Sequence, residues 1–386
     1  MNLIDVCELI VDCPHSTAKD EGLGIPLVRT PNIGKGRLDL SGAHRVSEVV
    51  YNQRIERAVP KAGDLILARE APVGNVALIM PGQKVCLGQR VVLIRPDKTK
   101  ADAAYLTYYL LSEEVQHRLK NNANGAVVAH LNMNEIRNLE IDLPEISIQK
   151  RIATVLSSLD DKIALNNRIN HNLEEQARAL YKSWFVDFEP FKDGEFINSE
   201  LGSIPKGWHV GALSEIATIT MGQSPSGSSF NEDGKGILFY QGRTEFGFRF
   251  PTIRLYTTEP SRFSEPGSIL ISVRAPVGDI NISKTRCCIG RGLAAIKPNT
   301  ESYSFALYTI MNNKDELDLY NGEGTVFGSI NRKELEGLPL LVPSHDAIES
   351  FNEIVAPIDK MVETLSDEII NLQNERDSLL PFLMGK

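Results

Sequence analysis

The chain contains two copies of one unit, and this duplication constrains its fold more than any other feature of the sequence. The tetrapeptide Ala-Pro-Val-Gly occurs at 71–74 and again at 275–278. Further on, residues 125–144 align with residues 324–343 at a constant offset of 199. The matches occur in the same order in both copies, and their offsets in sequence drift only from 204 to 199, which is too regular to be a coincidence. A chain of 386 residues built in this way is expected to form two similar domains instead of one large core.

The second part of each copy has the spacing of a long amphipathic helix. In the C-terminal copy, apolar residues alternate at intervals of three and four, which is a heptad seam that faces a partner helix: Ile348, Phe351, Val355, Ile358, Val362, Leu365, Ile369 and Leu372. The offset of 199 transfers this seam to the first copy: Ile152, Leu156, Leu159, Ile163, Asn166, Asn170 and Leu173. The two asparagines cost stability but define the register of the helices and the choice of partner.

The shared offset predicts that the two helices pair with each other. Each helix follows its own domain, so the simplest pairing is antiparallel. The alternative is two unrelated amphipathic helices, each packed on its own domain. Pro357 interrupts the second seam and predicts a kink or a late start of that helix.

The predicted fold is therefore α+β, with two pseudo-symmetric mixed α/β domains separated by two long helices that pair as an antiparallel intramolecular coiled coil. We call residues 1–145 head 1 and residues 191–345 head 2. The first long helix is assigned to residues 146–190 and the second to residues 346–386. Each head is rich in glycine, proline and β-branched residues, which is typical of short strands joined by loops.

The distribution of charge indicates nucleic-acid binding, although the total does not. The chain carries a net charge of −9, which by itself argues against a nucleic-acid binder. Residues 22–100, however, contain 13 basic and 6 acidic side chains, and residues 235–300 contain 10 and 4. The second helical segment, 346–386, contains 3 basic and 9 acidic side chains. Each head thus has a basic core segment that can attract phosphates, and the acidic residues lie in the helices and flanks.

Arginine, lysine, asparagine and glutamine on loops are the side chains that read base edges. In head 1 the candidates for DNA contact are Arg29, Thr30, Asn32, Lys35, Arg37, Arg45, Arg69, Gln89 and Arg90, and in head 2 they are Gln223, Ser224, Gln241, Arg243, Arg249, Arg254, Arg274 and Arg291. Taken singly, each also fits a solvated or salt-bridged surface residue.

The sequence contains no recognisable catalytic or metal site. A phosphate-binding glycine loop of either common kind is absent, and the seven histidines are isolated. Asp160 recurs as Asp359 in the second helix, and a helix-face salt bridge or a polar partner contact explains this better than a metal ligand.

The sequence also bears on the compartment. Five cysteines, an odd number without metal-ligand spacing, indicate reduced thiols. With no apolar segment long enough for a membrane span and no leader pattern, we expect a cytoplasmic location.

Three motifs resemble a known family. They are Ser-Trp-Phe-Val-Asp-Phe at 183–188, Pro-Lys-Gly-Trp at 205–208 and Gln-Lys-Arg-Ile-Ala at 149–153. With the order of head, long helix, head and long helix, they closely resemble the specificity (S) subunits of type I restriction–modification systems, the HsdS family. The resemblance extends over nearly the whole chain.

This resemblance implies a non-catalytic subunit that reads DNA. Each head would be a target recognition domain for one half of a bipartite, asymmetric target. The helix pair would set the spacer length and bind modification (methyltransferase) subunits, two in number, and restriction subunits would complete the nuclease. S-adenosylmethionine, ATP and magnesium would be bound by those partners and no cofactor by this chain. Head 1 starts almost at Met1, so one contact with a modification subunit is expected to be trimmed or supplied differently.

An aromatic cluster at the end of the first helix is assigned to the partner surface: Tyr181, Trp184, Phe185 and Phe188. Packing against the neighbouring head is an equal alternative for these side chains.

Two other functions remain open on the sequence. One is a two-headed structural or adaptor protein that binds protein partners through its repeated domains, although such a protein needs no matching basic heads. The other is a self-contained restriction or methylation enzyme, which the missing motifs disfavour.

Overall fold

Head and helix residues combine in two units of the computed structural model, which describes residues 1–70, 72–121, 130–299, 303–322 and 328–385. Unit 1 comprises Met1–Ile163 and Asn371–Lys386, and unit 2 comprises Ala164–Ile370. Each unit therefore contains a sheet domain and part of both long helices. Within the repeated segments, Ala71, residues 125–129 and residues 324–327 lie outside the described residues.

The sheet domain of unit 1 has a five-stranded sheet in the order β1-β8-β5-β6-β3 and a three-stranded sheet in the order β4-β2-β7. The strands are β1 (Cys7–Asp12), β2 (Ile25–Val28), β3 (Gly36–Arg37), β4 (Arg45–Val46), β5 (Leu65–Ala68), β6 (Val76–Leu78), β7 (Cys86–Leu87) and β8 (Val91–Pro96). The helices are α1 (Glu48–Arg54), α2 (Ala103–Leu111), α3 (Glu113–Asn121), α4 (Met133–Arg137) and the long α5 (Ile146–Phe185), with 3-10 turns at Leu3–Val6 and Thr30–Asn32.

The sheet domain of unit 2 has a four-stranded sheet β12-β20-β17-β18, a five-stranded sheet β13-β15-β14-β19-β16 and two hairpin-sized sheets, β10-β9 and β11-β21. The strands are β9 (Phe196–Ser199), β10 (Gly202–Pro205), β11 (His209–Ala212), β12 (Ala217–Met221), β13 (Phe230–Asn231), β14 (Ile237–Tyr240), β15 (Leu255–Thr257), β16 (Phe263–Ser264), β17 (Ile269–Ser272), β18 (Ile280–Ile282), β19 (Cys287–Ile289), β20 (Leu293–Pro298) and β21 (Pro339–Val342). The helices are α6 (Leu213–Ile216), α7 (Tyr303–Asn312), α8 (Lys314–Asp318), α9 (Arg332–Glu336) and the long α10 (His345–Met384), with 3-10 turns at Glu189–Phe191, Gly227–Ser229, Arg243–Glu245 and Leu319–Asn321.

The strand pairing confirms the duplication. In unit 1, Leu65 of β5 pairs antiparallel with Ile94 of β8. In unit 2, Ile269 of β17 pairs in the same way with Ile296 of β20. The parallel pair β2/β7 likewise has its counterpart in β14/β19. The fold class is thus confirmed as two related mixed domains.

Both faces of the central strands are buried, which explains why they are apolar without alternation. Leu65 and Leu67 of β5 lie in the core that includes the helices, and Ile66 and Ala68 lie in a second core on the opposite face. The strand β17 divides its side chains between two cores in the same manner. Burial of this kind contributes about 25 cal/mol for each Å² of apolar surface removed from water.

The long helices α5 and α10, which together we call the helix pair, are each continuous over 40 residues. The second begins at His345 and continues through Pro357, so the predicted late start is wrong. A proline can remain inside a helix when packing stabilises the neighbouring turns. Here Phe351, Val355 and Ile358 on either side of it pack in the core of unit 2.

The two helices are antiparallel, as the heptads predict. In unit 2, Asn166 Nδ2 donates to Glu368 Oε2 at 2.7 Å, and Asn170 Nδ2 donates to Ser366 Oγ at 3.3 Å. Advancing along α5 therefore means going back along α10. Both asparagines are almost fully buried, with 0% and 1% of their surfaces exposed, so these bonds define the register from inside the interface.

The structure places the seam residues on the inner face of the helices. Seven of them are buried: Leu156, Ile163, Asn166, Asn170, Phe351, Val355 and Val362. The others are half-buried: Ile152, Leu159, Leu173, Ile348, Ile358, Leu365, Ile369 and Leu372. Three polar residues of α5 are also buried: Gln149, Asp160 and Glu174. A heptad pattern of apolar residues does not reveal them.

The aromatic cluster at the end of α5 is part of the core of unit 2. Tyr181 and Phe185 are buried there, and Phe185 packs edge-on against Phe305 with ring centroids 5.0 Å apart. Trp184 and Phe188 are half-buried beside the same core, and Phe188 lies 5.8 Å from the ring of Trp208. The assignment of Tyr181 and Phe185 to a partner surface is therefore corrected. Their rings are removed from water by head 2, so packing against the neighbouring head describes them.

Replacing Asn166 with alanine should destabilise the helix pair. The variant removes a donor from a half-buried carboxylate, which costs about 1–2 kcal/mol, and each kcal/mol corresponds to about 2–4 °C for a unit of this size. Asn172→Ala is the matched control, because Asn172 is exposed on the same helix. Thermal denaturation followed by circular dichroism measures both. Equal shifts for the two variants would contradict an interfacial role for Asn166.

Replacing Phe185 with alanine should lower the stability of the free chain by about 3–5 kcal/mol, as is typical when a buried ring leaves a cavity. Val186, with 42% of its surface exposed, offers the control Val186→Ala, for which we expect less than about 0.5 kcal/mol. Chemical denaturation without any partner present measures the difference. If Phe185→Ala left the free chain as stable as the control, Phe185 would belong to a partner surface after all.

Candidate nucleic-acid interface

One end of the main sheet of unit 1 gathers several of the predicted DNA-contacting residues. The strands β1 and β5 end where β8 begins, since all three are antiparallel neighbours, with Asp12 opposite Val92 and Ala68 opposite Val91. The loops that leave these strands must therefore lie side by side. They carry Arg69, Gln89 and Arg90, and the adjacent sheet adds Arg29. We call Arg29, Arg69, Gln89 and Arg90 loop cluster 1.

Hydrogen bonds within loop cluster 1 hold the loops together. Gln89 Nε2 donates to the carbonyl of His15 at 2.9 Å, and Thr17 Oγ1 donates to Gln89 Oε1 at 3.1 Å. Arg69 lies 2.7 Å from Asp12 and also donates to the carbonyl of Leu131. These bonds occupy much of the polar capacity of Gln89 and Arg69.

The most available cation of loop cluster 1 is Arg90. Its side chain is more than half exposed and lies 3.0 Å from Glu70. It has a positive φ of 66°, which a residue with a Cβ adopts rarely and mostly at functional or tightly constrained positions. With His15, Arg69, Glu70 and Gln89, it lines a cleft of about 240 Å³.

Glycine permits the close approach that brings Arg29 to this cluster. A Cβ added to Gly88 would lie 2.6 Å from the carbonyl oxygen of Val28 and 2.9 Å from Arg29 Cγ. Such distances exclude any side chain at position 88. The sequence position of this glycine, directly before Gln89, is thus explained by loop packing.

The corresponding end of the main sheet of unit 2 has the same arrangement. Here β12 and β17 end where β20 begins, with Met221 opposite Ala294 and Ser272 opposite Leu293. The predicted residues that meet at this end are Gln223, Ser224, Gln241, Arg274 and Arg291, which we call loop cluster 2. The backbone N–H of Arg291 donates to Ser224 Oγ at 3.2 Å. This bond joins two loops that are remote in sequence.

Loop cluster 2 also depends on glycine. A Cβ on Gly290 would lie 2.8 Å from the carbonyl oxygen of Gln241, and one on Gly292 would lie 2.9 Å from it. Gln223, Gln241, Arg274 and Arg291 remain exposed. The cluster therefore presents two amides and two guanidinium groups to solvent, and these groups suit hydrogen bonding to base edges and phosphates.

Other predicted residues lie outside the two loop clusters. Lys35 is exposed beside a cavity of about 350 Å³ that is also lined by α10, and Arg37 bonds to Asp161 of α5 at 2.6 Å. Arg45 donates to the carbonyl of Gly24 at 2.9 Å. In unit 2, Arg243 pairs with Asp279, and Arg254 pairs with Glu245 and Glu232. The four arginines of this group therefore have carboxylate or carbonyl partners already.

Three of the predicted DNA-contacting residues are buried, and their assignment is corrected. Thr30 and Asn32 lie in the interior of head 1, where Asn32 accepts from the N–H of Arg29 and donates to the carbonyl of Asp39. Arg249 has only 3% of its surface exposed and is paired with Glu174 and Asp359. A phosphate cannot reach these groups without unfolding the loops around them.

The described residues offer no evident catalytic centre. Within them, no group of three or more histidine, cysteine, aspartate or glutamate side chains could hold a metal ion. The five cysteines are free thiols, and burial raises the pKa of Cys7 to about 12 and that of Cys86 to about 11. These two thiols are therefore protonated at neutral pH, and a protonated thiol is a poor nucleophile. None of the helices in the described ranges is long and apolar enough to cross a bilayer.

Comparison with known proteins agrees with the repeated heads. The family model of the type I restriction modification DNA specificity domain matches residues 1–175 and again residues 205–374. The MjaX type I restriction enzyme specificity subunit of Methanocaldococcus jannaschii is 32% identical, over 99% of this chain and 91% of the relative. The HindI specificity subunit of Haemophilus influenzae is 24% identical, over 84% of this chain and 86% of that protein.

A solved structure has the same fold. The crystal structure of the type I restriction–modification S subunit from M. genitalium aligns with a TM-score of 0.58 at 17% identity, covering 100% of this chain and 96% of that one. Since the family model matches both copies of the repeat and most of the chain, the protein belongs to the family of type I restriction–modification DNA specificity subunits.

Proposed function

We propose that loop clusters 1 and 2 each read one half of a bipartite, asymmetric DNA target for a type I restriction–modification complex. The observation that carries this proposal is that both repeats gather arginine and glutamine side chains at the same end of the same sheet. A duplex offers two half-sites to a protein with two equivalent reading surfaces. The adaptor interpretation is not favoured, since the relatives named above are specificity subunits.

The charge of one central segment in each head supports an affinity for phosphate. Residues 22–100 and 235–300 carry net charges of +7 and +6, whereas residues 346–386 carry −6. A basic segment in each head and an acidic second helix direct the duplex to the heads and away from that helix.

The proposal extends to the rest of the complex. The helix pair would set the spacer length and dock two modification (methyltransferase) subunits, and restriction subunits would complete the assembly. S-adenosylmethionine, ATP and magnesium would be bound by those partners, and this chain would be non-catalytic and would bind no cofactor. A cytoplasmic location follows from the DNA target and fits five free thiols.

Replacing Arg291 with alanine should weaken binding to the target by about 1–3 kcal/mol, the value typical of a lost base contact. The purified chain with its modification partner is titrated with target duplex in a gel-shift assay at several salt concentrations. Arg332→Ala is the matched control, because Arg332 is an exposed arginine of α9 that pairs with Glu336 outside loop cluster 2. Wild-type binding that did not weaken with salt would contradict the DNA proposal.

Exchanging head 1 for the first head of another family member should change one half of the methylated sequence only. The reason is that loop cluster 1 draws all its side chains from residues 1–145. Sequencing of methylated sites in cells that express the hybrid, with the wild-type chain as control, reports both halves. A change in both halves would mean that the heads do not read independently.

A further inference from the structure

An aspartate occupies the same repeat position in each unit, and it is buried in unit 1 and half-buried in unit 2. Asp160 on α5 and Asp359 on α10 are 199 residues apart, which is the offset of the repeat. Asp160 accepts a hydrogen bond from Tyr108 OH at 2.6 Å, and Asp359 accepts one from Tyr308 OH at 2.8 Å. The tyrosines lie on α2 and α7 of the heads, so each bond joins a head to a long helix.

Each aspartate is also paired with an arginine, but the two arginines come from different parts of the fold. In unit 1, Arg376 of α10 donates from Nη1 to Asp160 at 2.8 Å. In unit 2, Arg249 of head 2 lies 3.1 Å from Asp359 and 2.9 Å from Glu174. Because Glu174 is on α5 and Asp359 is on α10, Arg249 ties head 2 to both helices. Both aspartates therefore form salt bridges, but each pairs with an arginine of another element and not along the face of its own helix.

The position equivalent to Arg376 holds a small residue in unit 2. An offset of 199 leads from Arg376 to Ala177, which is fully buried on α5. In unit 2, Asn170 bonds to Ser366, and seven residues forward on α5 and seven back on α10 are Ala177 and Asp359. An arginine at position 177 would therefore face Asp359.

The position equivalent to Arg249 has no side chain in unit 1. In unit 2, the carbonyl of Arg249 accepts a hydrogen bond from the N–H of Ile282 in β18. In unit 1, the strand that corresponds to β18 is β6, and its Ala77 pairs with Gly36, so Gly36 is the counterpart of Arg249. A Cβ added to Gly36 would lie 3.6 Å from Asp160 Oδ2. Each unit thus has one arginine at its aspartate. The position that supplies this arginine in one unit holds alanine or glycine in the other unit.

Both arginines remain charged, although Arg249 is buried and Arg376 is half-buried. Burial opposes the charge of Arg249, but Tyr308, Asp359 and Glu174 outweigh it and raise the pKa of Arg249 above its ordinary value. Burial also opposes the charge of Arg376, but the hydrogen bond to Asp160 raises the pKa of Arg376. Buried ion pairs add little net stability, and their best-attested use is to select one geometry.

We propose that lock 1 (Tyr108, Asp160 and Arg376) and lock 2 (Tyr308, Asp359 and Arg249) are positioning residues. They hold each head in one orientation on the helix pair and so define the spacer length that the complex accepts. The arginine of a lock can come from the head or from the opposite helix. This inference rests on the proposed function, because spacer length has meaning only for a bipartite target.

The test uses Arg249→Ala in the complex with modification subunits. Methylation is measured on the wild-type target and on targets whose spacer is longer or shorter by one base pair. The preference for the wild-type spacer should fall about tenfold, equivalent to the loss of one strong interaction, while the bases read in both halves stay the same. A merely structural defect would lower methylation of all three targets alike.

The relocation variant Arg249→Ala/Ala177→Arg supplies the decisive control. It gives unit 2 the arrangement of unit 1, and the spacer preference should return to within about twofold of the wild-type value. Arg332→Ala removes an exposed arginine from the same unit and should leave the preference unchanged. A folded Arg249→Ala variant with the wild-type preference would overturn the proposal, and so would a folded relocation variant that restored nothing.

A milder variant covers the case in which Arg249→Ala does not fold. Tyr308→Phe removes only the hydroxyl that donates to Asp359, and we expect the spacer preference to fall about threefold. An unchanged preference in Tyr308→Phe would then refute lock 2. If the wild-type complex methylated no bipartite target, the proposed function would fail instead, and this outcome is distinct from an active complex whose variants keep their spacer preference.

Discussion

The helix pair is the surface on which both units depend. A long helix with one apolar stripe cannot bury that stripe alone, and here the stripe is shared between the partner helix and the heads. Ala177 and Tyr181 of α5, together with Phe351 and Val355 of α10, lie in the same core as the strands of unit 2. In unit 1, Ala153 of α5 is buried in the core that includes β5 and β8. The stability of a head and its placement on the helices therefore have one physical origin.

The positions of the two loop clusters, the proposed reading surfaces, follow from sheet topology. Antiparallel neighbours bring the end of one strand beside the start of the next, so residues as distant as Arg69 and Gln89 share one edge. Glycines at positions 88, 290 and 292 let the loops approach more closely than any side chain would allow. The scaffold is thus common to both heads, and the side chains on its loops differ, as the proposed reading of two different half-sites requires.

Some arginines of a head are exposed and others are buried in ion pairs, and residue type alone does not distinguish them. Arg291 follows β19 on an exposed loop, whereas Arg249 reaches Glu174 and Asp359, which are 75 and 110 residues away in the chain. The same holds for two neighbouring apolar residues at the end of α5. Val186 is exposed, and its neighbour Phe185 is enclosed by rings of head 2. Such outcomes depend on which distant side chains arrive at a given place.

The sequence by itself determined the duplication, the antiparallel helix pair and the family, because repeats, heptads and short motifs are properties of residue order. It also identified a basic segment in each head and the recurring aspartate. Only the tertiary structure decided that Thr30, Asn32 and Arg249 are interior and that α10 continues through Pro357. It also decided that Arg376 and Arg249 form ion pairs with the two equivalent aspartates. The physical reason is that burial and ion pairing are set by contacts between residues far apart in the chain, and no local pattern records them.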